Sequence, residues 1–497
     1  MRWEMNFKRF FRNCPVFLYC LFLLVAGLMG IFVASSSIPI VVLPITFILI
    51  FIYIWTFLRY PKQSLLFFML FVLLQWLIIE NLGGKSTYLG LFVTYSDEGL
   101  ILLTFLLMIL GLTLKRKPFH SCKLEFPLLG ITIIGIVGSI SAGVPIMVTG
   151  SAFIILLKGF LVFYIFAHLS FKEQDTRQYL KILGIVAGVI LFLGLVDFIH
   201  PVRFREAIGN VGGMGQRFGI PIIKSIFVHP GIFGWFCAFV ALFNLALYFT
   251  TKKKRFFFLF IAFVFGVIFS TRRKPMAGVV VAALMGMQAL PLRRRIKIGL
   301  ALGTLAVFLG FLFAPQISGL IQKTFQIYIF SPHPMEIARN KLYLTSMEIA
   351  KDYFPLGAGL GRYGGDIAAR YYSPIYVKYG LDQVYGLGPN GHFLDDTFWP
   401  MILGELGIIG FFFYIWVCLR LLVFAWQSQK KFDSPLKKAF ALGTFMVFIE
   451  GLVESLADPV FVKPPEAYFL FGAMGVLYSI MLGYKKRNFT NENSISQ

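Results

Sequence analysis

Two adjacent arginines, Arg272 and Arg273, separate the apolar runs 256–271 and 275–291. A guanidinium group stays charged, pairs with two phosphate oxygens at once and can neutralise a departing diphosphate without a metal ion. The alternative is that both side chains anchor the chain by reaching the phosphates of membrane lipids. The neighbouring turns on the same predicted side of a membrane carry almost no charge, which favours a binding site.

A second candidate pair, His392 and Asp396, precedes the apolar run that begins near Phe398. Histidine is the usual general base near neutral pH, and the two side chains share one face if the helix extends back to His392. Arginines and a helix N-terminus would lower the pKa of Asp396 and weaken it as a base. We therefore favour His392 as the base, with Asp396 orienting it or binding the acceptor. The structural alternative is that Asp396 or Thr397 only caps the helix.

Charged residues inside apolar runs form a third group: Lys158, Asp197, Glu405, Glu450 and Glu454. A charge inside a membrane is costly unless it is paired or lines a cavity. Glu450 and Glu454 are one helical turn apart, so both could face Lys158 or the arginine turn. A structural ion pair and a role in substrate handling remain equally open for this group.

The composition places the elements that carry these residues in a membrane. Of the 497 residues, 58% are hydrophobic and 14% are charged, and the mean hydropathy is +0.79. That apolar surface exceeds what a water-soluble fold of this size can bury, which excludes a soluble enzyme. The net charge of +23 comes from short basic bursts between apolar runs, which indicates membrane topology rather than nucleic-acid binding. The five cysteines form no CxxC pair, so we expect neither a disulfide framework nor a metal site.

The apolar runs predict an all-α polytopic membrane protein with about 14 (12–14) transmembrane helices. The runs are 16–34, 39–58, 64–80, 98–114, 126–142, 148–168, 180–199, 226–250, 256–271, 275–291, 298–314, 398–420, 439–457 and 467–484. The first run follows a basic segment, as in a signal peptide, but its length matches an uncleaved anchor.

Basic residues set the predicted orientation. Every predicted cytoplasmic segment holds at least two Lys or Arg, and most outer turns hold at most one, so both termini are predicted to be cytoplasmic. Three outer segments depart from this pattern: 200–225, the turn from Arg272 to Lys274, and 315–397. Four histidines also fall in outer segments or at outer helix ends: His200, His229, His333 and His392. We expect function to concentrate on this side.

The predicted organisation has five parts. They are an N-terminal transmembrane bundle at 1–199, transmembrane helices with outer arginine clusters at 200–314, a large outer loop with short helices at 315–397, C-terminal transmembrane helices at 398–484 and a cytoplasmic tail at 485–497.

Two features stand out within the large loop. Pro334 predicts a helix that continues through Tyr353, with Leu344, Met347 and Ala350 on one face. The turn that follows contains Gly357, Gly359 and Gly361. It lacks the strand and the acidic residue of a dinucleotide-binding motif, which indicates close backbone packing and no cofactor.

Four local patterns follow one another between residues 217 and 410. They are Arg217 followed by Phe227-Val-His-Pro230, then Ser270-Thr-Arg-Arg273, then Arg339 followed by Phe354-Pro-Leu-Gly-Ala-Gly359, and last Glu405-Leu-Gly-Ile-Ile-Gly410. Together they resemble the O-antigen ligase and O-antigen polymerase superfamily, bacterial membrane proteins that join envelope glycans. One departure is that the family's His-Asn or Asp-Asn pair before the glutamate falls here on Asp396, with His392 slightly earlier.

The resemblance implies a metal-independent, inverting glycosyltransferase without a cofactor, in the bacterial cytoplasmic (inner) membrane. It would take a glycan from undecaprenyl diphosphate and join it to an acceptor hydroxyl on the outer face. The implied diphosphate-binding residues are Arg217, Arg272, Arg273 and Arg339, and the implied base is His392 or Asp396. Whether the chain is a ligase of lipopolysaccharide or a polymerase of O-antigen or exopolysaccharide stays open.

The implied partners are the lipid-linked glycan, an acceptor lipid or glycan, membrane lipids, and chain-length regulators or other polysaccharide assembly proteins, with no nucleic acid. The alternative function is a transporter or flippase of lipid-linked oligosaccharides, which would also use buried charges and an outer basic cluster. A transporter predicts symmetry-related repeats, and the sequence contains no evident internal repeat.

Overall fold

The computed structural model describes residues 39–82, 84, 87–114, 116, 118–210, 215–217, 220–312 and 334–495. The predicted span 16–34 and His333 lie outside the described residues. In the described part, the chain is helical apart from two two-residue strands that pair with each other. The all-α class is therefore confirmed.

The elements are numbered in chain order. They are α1 (Pro39–Arg59), α2 (Pro61–Asn81), α3 (Tyr88–Leu114), α4 (Glu125–Ser141), α5 (Ile146–Ala167), α6 (Glu173–Ile199), α7 (Pro201–Ala207), β1 (Gln216–Arg217), β2 (Ile220–Pro221), α8 (Pro230–Thr251), α9 (Lys254–Phe269), α10 (Arg273–Met287), α11 (Leu292–Leu312), α12 (Pro334–Asp352), α13 (Asp366–Arg370), α14 (Pro374–Lys378), a short 3₁₀ helix (Leu381–Gln383), α15 (Trp399–Lys431), α16 (Pro435–Glu454) and α17 (Glu466–Ile495). Proline begins several of these helices, because its fixed φ suits the first turn and its missing N–H would have no partner there.

Seven helices in the described part of the chain are long and apolar enough to cross a membrane: α2, α3, α5, α6, α8, α15 and α17. A multi-pass membrane protein is therefore supported, but the prediction of about 14 spans is wrong for these residues. Helices α4, α9 and α10 coincide with predicted runs but contain 17, 16 and 15 residues, fewer than the ~20 that a span needs. Helix α16 carries two lysines and two glutamates within its 20 residues.

The chain divides into two compact units, residues 1–117 with 206–210, and residues 118–205 with 211–497. In the first unit, α1, α2 and α3 pack together. Gln75 on α2 donates to the carboxylate of Asp97 on α3 at 2.9 Å, and both side chains are buried. Asp97 is therefore a buried acidic residue with a hydrogen-bond partner, and it was not among the charged residues selected from the sequence.

Helix α16 is the centre of the second unit. It packs against α8, α10, α15 and α17, and every residue from Ala439 to Gly451 is buried. A helix covered on all sides faces protein rather than lipid. Glu450 and Glu454, both buried on this helix, are therefore surrounded by protein.

A glycine-rich turn forms hydrogen bonds with α15 next to a point where that helix is interrupted. The helix is interrupted at Gly407, where φ is 63° and ψ is −171°. The N–H groups of Ala358 and Gly359 donate to the carbonyl oxygens of Gly404 at 2.8 Å and Glu405 at 3.1 Å. The turn therefore supplies donors to carbonyl groups next to the interruption. The close backbone packing expected for this turn is observed.

Glycine is required on both sides of this contact. A Cβ atom on Gly357 would lie 2.3 Å from the backbone nitrogen of Gly407, and Gly357 has a φ of +77°. The side-chain oxygen Oε1 of Glu405 accepts a hydrogen bond from the N–H of Tyr363 at 3.1 Å. The turn thus fixes a buried carboxylate as well as the helix.

The large loop has its own core, to which Ala338, Leu342 and Ile349 contribute from α12. The helix predicted from Pro334 is confirmed, but the predicted apolar face is wrong for Leu344 and Met347, which are 57% and 60% exposed. The buried face of α12 carries Ala338, Leu342 and Ile349, which lie four and seven residues apart and which the three-residue step did not identify.

Candidate functional site

The site lies at one end of the second unit, where α8, α10, α15 and α17 begin and α16 ends. We call it the arginine end and define it by Arg272, Arg273, Lys274 and the turn 455–458. Contacts between these elements bring together residues that are far apart in the sequence.

A buried ion pair holds the segment that contacts the residues just before the arginine turn. Asp197 near the end of α6 accepts hydrogen bonds from Arg205 at 2.7 Å and from the backbone N–H groups of Lys224 and Ser225 at 2.9 and 3.0 Å. Ile223 in turn donates from its N–H to the carbonyl of Phe269 at 3.4 Å. Asp197 therefore has a structural role, which resolves its position in an apolar run.

The arginine turn is held by Ser270. Its hydroxyl donates to the carbonyl of Val267 at 2.6 Å and accepts from the N–H of Arg272 at 3.3 Å. A Cβ atom on Gly234 would lie 2.5 Å from this hydroxyl oxygen, so α8 can approach the turn closely. Arg272 then precedes α10 and Arg273 is its first residue, and both side chains are partly exposed.

An ion network extends from this turn to the far side of the site. Lys274 donates to the carboxylate of Asp458 at 2.9 Å and to the carbonyl of Ala457. Lys463 lies 3.7 Å from the same carboxylate and 3.3 Å from Asp395. Burial alone would raise the pKa of Asp458, but Lys463 and Lys274 outweigh it and lower the pKa to about 2. Asp458 is therefore ionised at neutral pH.

Asp396, near the end of the large loop, lies close to charged residues both of that loop and of the arginine end. A terminal guanidinium nitrogen of Arg339, on α12, lies 3.5 Å from an oxygen of Asp396. Burial raises the pKa of Asp396, and the nearby charges of Lys274, Lys463 and Arg339 do not reverse this direction. The expectation that cations would lower its pKa is therefore wrong, because the loss of hydration was not visible in the sequence.

His392 is separated from this arrangement. Helix α15 begins at Trp399, so residues 392–396 do not continue it backwards and the expected shared helical face is absent. The His392 side chain is exposed. Among the described contacts of His392, none joins it to Asp396 or to the arginine turn.

Of the four predicted arginines, the structure brings Arg272, Arg273 and Arg339 to the arginine end. Arg217 lies in β1, and its side chain is outside the described part of the chain. The sequence named Lys274 only as the end of the basic turn, and it did not select Lys463 or Asp458. The signal of Lys463 and Asp458 was weak, because they are single charges next to predicted spans.

His229 is a further residue at this end that the sequence did not select from among the outer histidines. It precedes α8, and its Nδ1 atom accepts a hydrogen bond from the N–H of Gly231 at 3.1 Å. Loss of hydration and the positive charge of Arg272 lower its pKa, and Asp458 opposes that shift. The only signal in the sequence was its place in the Phe227-Val-His-Pro230 pattern.

The turn after α16 is tied to three other elements. The hydroxyl of Ser455 accepts from the indole N–H of Trp399 at 2.9 Å, and the carbonyl of Leu456 accepts from the hydroxyl of Tyr343 at 2.8 Å. The carbonyl of Ala457 accepts from Lys274. Three consecutive residues of one turn thus form hydrogen bonds with three different helices, α15, α12 and α10.

Buried carboxyl groups accompany the ion network. Glu450 and Glu454 interact with each other, and both interact with Glu466 at the start of α17. A Cβ atom on Gly278 would lie 2.8 Å from the Cγ atom of Glu450, so α10 packs directly against it. The ammonium group of Lys158 lies 5.5 Å from the ring centre of Tyr468, in the first turn of α17.

The chemistry available at the arginine end is anion binding next to a carboxylate. Five cations contribute there: Arg272, Arg273, Lys274, Arg339 and Lys463. The carboxylates of Asp395, Asp396 and Asp458 offset part of this charge.

No protein-family model matches the chain, and no curated protein matches it.

Proposed function

We propose that this chain is a membrane-embedded glycosyltransferase that joins a glycan from undecaprenyl diphosphate to an acceptor hydroxyl at the outer face of a bacterial cytoplasmic membrane. The observation that supports this most is the arginine end, where Lys274 follows Arg272 and Arg273, and the charges of Lys274 and Arg339 both act on Asp396. Such a site combines an anion-binding group with a base, as this reaction requires.

The charges of the site suit a lipid diphosphate. Its five cationic side chains outnumber the three aspartates of its ion network, which suits a ligand with negative charge such as a diphosphate diester. The arginines would pair bidentately with its oxygens, as guanidinium groups do with phosphates. Each well-placed donor to developing charge contributes about 3 kcal/mol to the transition state.

Asp396 is the better candidate for the base. It lies beside Arg339 and the lysines of the site, whereas His392 is exposed and has no described contact with them. Burial raises the pKa of Asp396, which makes it a stronger proton acceptor than an ordinary aspartate. This reverses the preference drawn from the sequence.

The reaction would proceed in one displacement. The oxygen of the acceptor hydroxyl forms a bond to the anomeric carbon while its proton passes to Asp396. The bond between that carbon and the diphosphate oxygen breaks, and the electron pair leaves with the diphosphate, which Arg272 and Arg273 hold. Attack from the face opposite the leaving group inverts the configuration at the anomeric carbon.

The test is reconstitution of the purified full-length chain in vesicles with an undecaprenyl-diphosphate-linked oligosaccharide. We expect joined glycan and released undecaprenyl diphosphate in equal amounts, with no loss of activity when EDTA is added. Offering a second lipid-linked oligosaccharide or a lipid A core as the acceptor separates a polymerase from a ligase. Movement of intact lipid-linked oligosaccharide across the vesicle membrane without release of diphosphate would instead identify a flippase.

A further inference from the structure

His229 has one ring nitrogen committed to the backbone. It is the N-cap residue of α8, and its Nδ1 atom accepts the N–H of Gly231 at 3.1 Å. An N-cap side chain must offer a lone pair, because the first N–H groups of a helix have no partner within it. The lone pair of Nδ1 therefore points at Gly231 and cannot carry a proton while the cap is formed.

This geometry sets the tautomer of the ring. A neutral imidazole has one nitrogen that donates and one that accepts. Because Nδ1 accepts from Gly231, the single proton of the neutral ring is on Nε2. An imidazolium would place a second proton between Nδ1 and the N–H of Gly231 and would lose the cap. His229 therefore offers a donor at Nε2 and no free lone pair for use as a base.

The surroundings of His229 are those of the arginine end. The charged groups that act on the ring are Arg272, Lys274, Lys463 and Asp458. The residue keeps solvent-accessible surface although its ring is partly desolvated, so a ligand bound beside Arg272 can reach it. A neutral donor next to cations adds a hydrogen bond to a bound anion without adding further repulsion among the cations.

We propose that the Nε2–H group of His229 donates a hydrogen bond to a phosphate oxygen of the lipid-linked donor, beside Arg272. This assignment rests on the proposed function. It adds His229 to the proposed binding residues for the diphosphate, beside Arg272, Arg273 and Arg339. It also explains why a histidine at this end serves as a helix cap, since the cap holds the proton on the nitrogen that faces the ligand.

The matched variants are His229→Ser and His229→Asn in the full-length chain. Serine keeps an oxygen that caps α8 but removes the distal donor. Asparagine keeps a capping oxygen and has an amide N–H₂ group that can donate. We expect His229→Ser to bind inorganic diphosphate roughly ten- to hundredfold more weakly than the native chain, as loss of a hydrogen bond to a charged group predicts. His229→Asn should recover part of this loss. His120→Ser should bind normally, because His120 lies before α4, where its backbone N–H donates to His168.

Titration calorimetry on the purified protein in detergent measures these affinities, and thermal unfolding of the same samples checks the cap. Equal binding by the native chain and His229→Ser would overturn the assignment of His229 alone. No binding by the native chain would overturn both the diphosphate site and this assignment. Diphosphate that binds His229→Asn as weakly as His229→Ser would also contradict a donor role.

A second measurement does not depend on variants. Nitrogen-15 chemical shifts of labelled His229 in the full-length chain distinguish a protonated from an unprotonated ring nitrogen. We expect Nε2 to be protonated and Nδ1 unprotonated at neutral pH, with and without diphosphate. A proton on Nδ1 would overturn the proposal even if diphosphate binds.

Discussion

A guanidinium nitrogen of Arg339 lies 3.5 Å from a carboxylate oxygen of Asp396. The arginine belongs to the first helix of the described part of the large loop, and the aspartate stands three residues before α15. Their contact therefore places a loop cation next to the residue that we propose as the base. A ligand that draws Arg339 towards its phosphates would release this carboxylate for proton transfer.

Replacing Asp396 and His392 one at a time should show which of them is the base. We expect Asp396→Asn to abolish glycan joining in reconstituted vesicles, because an amide cannot take the acceptor's proton. His392→Gln should leave most of the turnover, since the histidine has no described contact with the site. Loss of activity in His392→Gln together with normal turnover in Asp396→Asn would return the role of base to His392.

The pH profile of kcat/KM provides a separate reading of the same residue. The base must be deprotonated, so the rate should fall as the pH drops through the pKa of Asp396. Because burial raises that pKa, the fall should begin at a higher pH than for an ordinary aspartate, whose pKa is about 3.9. Any residual rate of Asp396→Asn should lack this acidic limb. An unchanged limb in that variant would assign the titration to another group.

Replacing the arginines by lysine tests geometry while keeping charge. We expect Arg272→Lys and Arg273→Lys each to lower kcat/KM by about ten- to hundredfold, because lysine cannot form the paired hydrogen bonds of a guanidinium group. The matched control is Arg255→Lys, an exposed arginine at the start of α9, which should be neutral. Native activity in the double lysine variant would make the pair membrane anchors.

Cysteine labelling tests the predicted orientation. In a background without native cysteines, Tyr385→Cys should react with a membrane-impermeant reagent in intact cells, because Tyr385 is 71% exposed in the large loop. Lys253→Cys, in the exposed turn between α8 and α9, should react only after the membrane is permeabilised. The opposite pattern would invert the topology and place the proposed site on the cytoplasmic side.

The positions of the helices could be predicted from the sequence because an apolar run of sufficient length has few other structures open to it. The runs 148–168 and 226–250 correspond to Ile146–Ala167 and Pro230–Thr251. Whether such a helix meets lipid could not be predicted in the same way. Helix α16 is enclosed by four other helices, and enclosure depends on tertiary packing.

The members of the site were predictable only in part. Arg272 and Arg273 were recognisable because two cations interrupt apolar sequence. Asp396 was selected as a neighbour of His392, but Arg339, 57 residues earlier, was suggested only by the family resemblance. The pKa direction of Asp396 depends on burial, which no local pattern encodes.

A substitution in the glycine turn should destabilise the whole second unit. Gly357→Ala combines a positive φ with a clash against the backbone of Gly407, so we expect a loss of at least about 2 kcal/mol in the free energy of unfolding. Gly380→Ala is the matched control, because Gly380 has a φ of +64° but no atom within 4 Å of its added Cβ. Thermal unfolding in detergent should rank the two variants in this order. Equal losses would mean that the contact with α15 contributes nothing.

The hydrogen bonds to the turn after α16 have consequences for the order of folding. Its partners Lys274, Tyr343 and Trp399 precede it by 183, 113 and 56 residues. Contacts with such long sequence separations form late, and during synthesis none of these three can form before residues 455–457 have left the ribosome. Until then, α10, α12 and α15 lack these three hydrogen bonds. The arrangement at the arginine end is completed only once residues 455–457 are present.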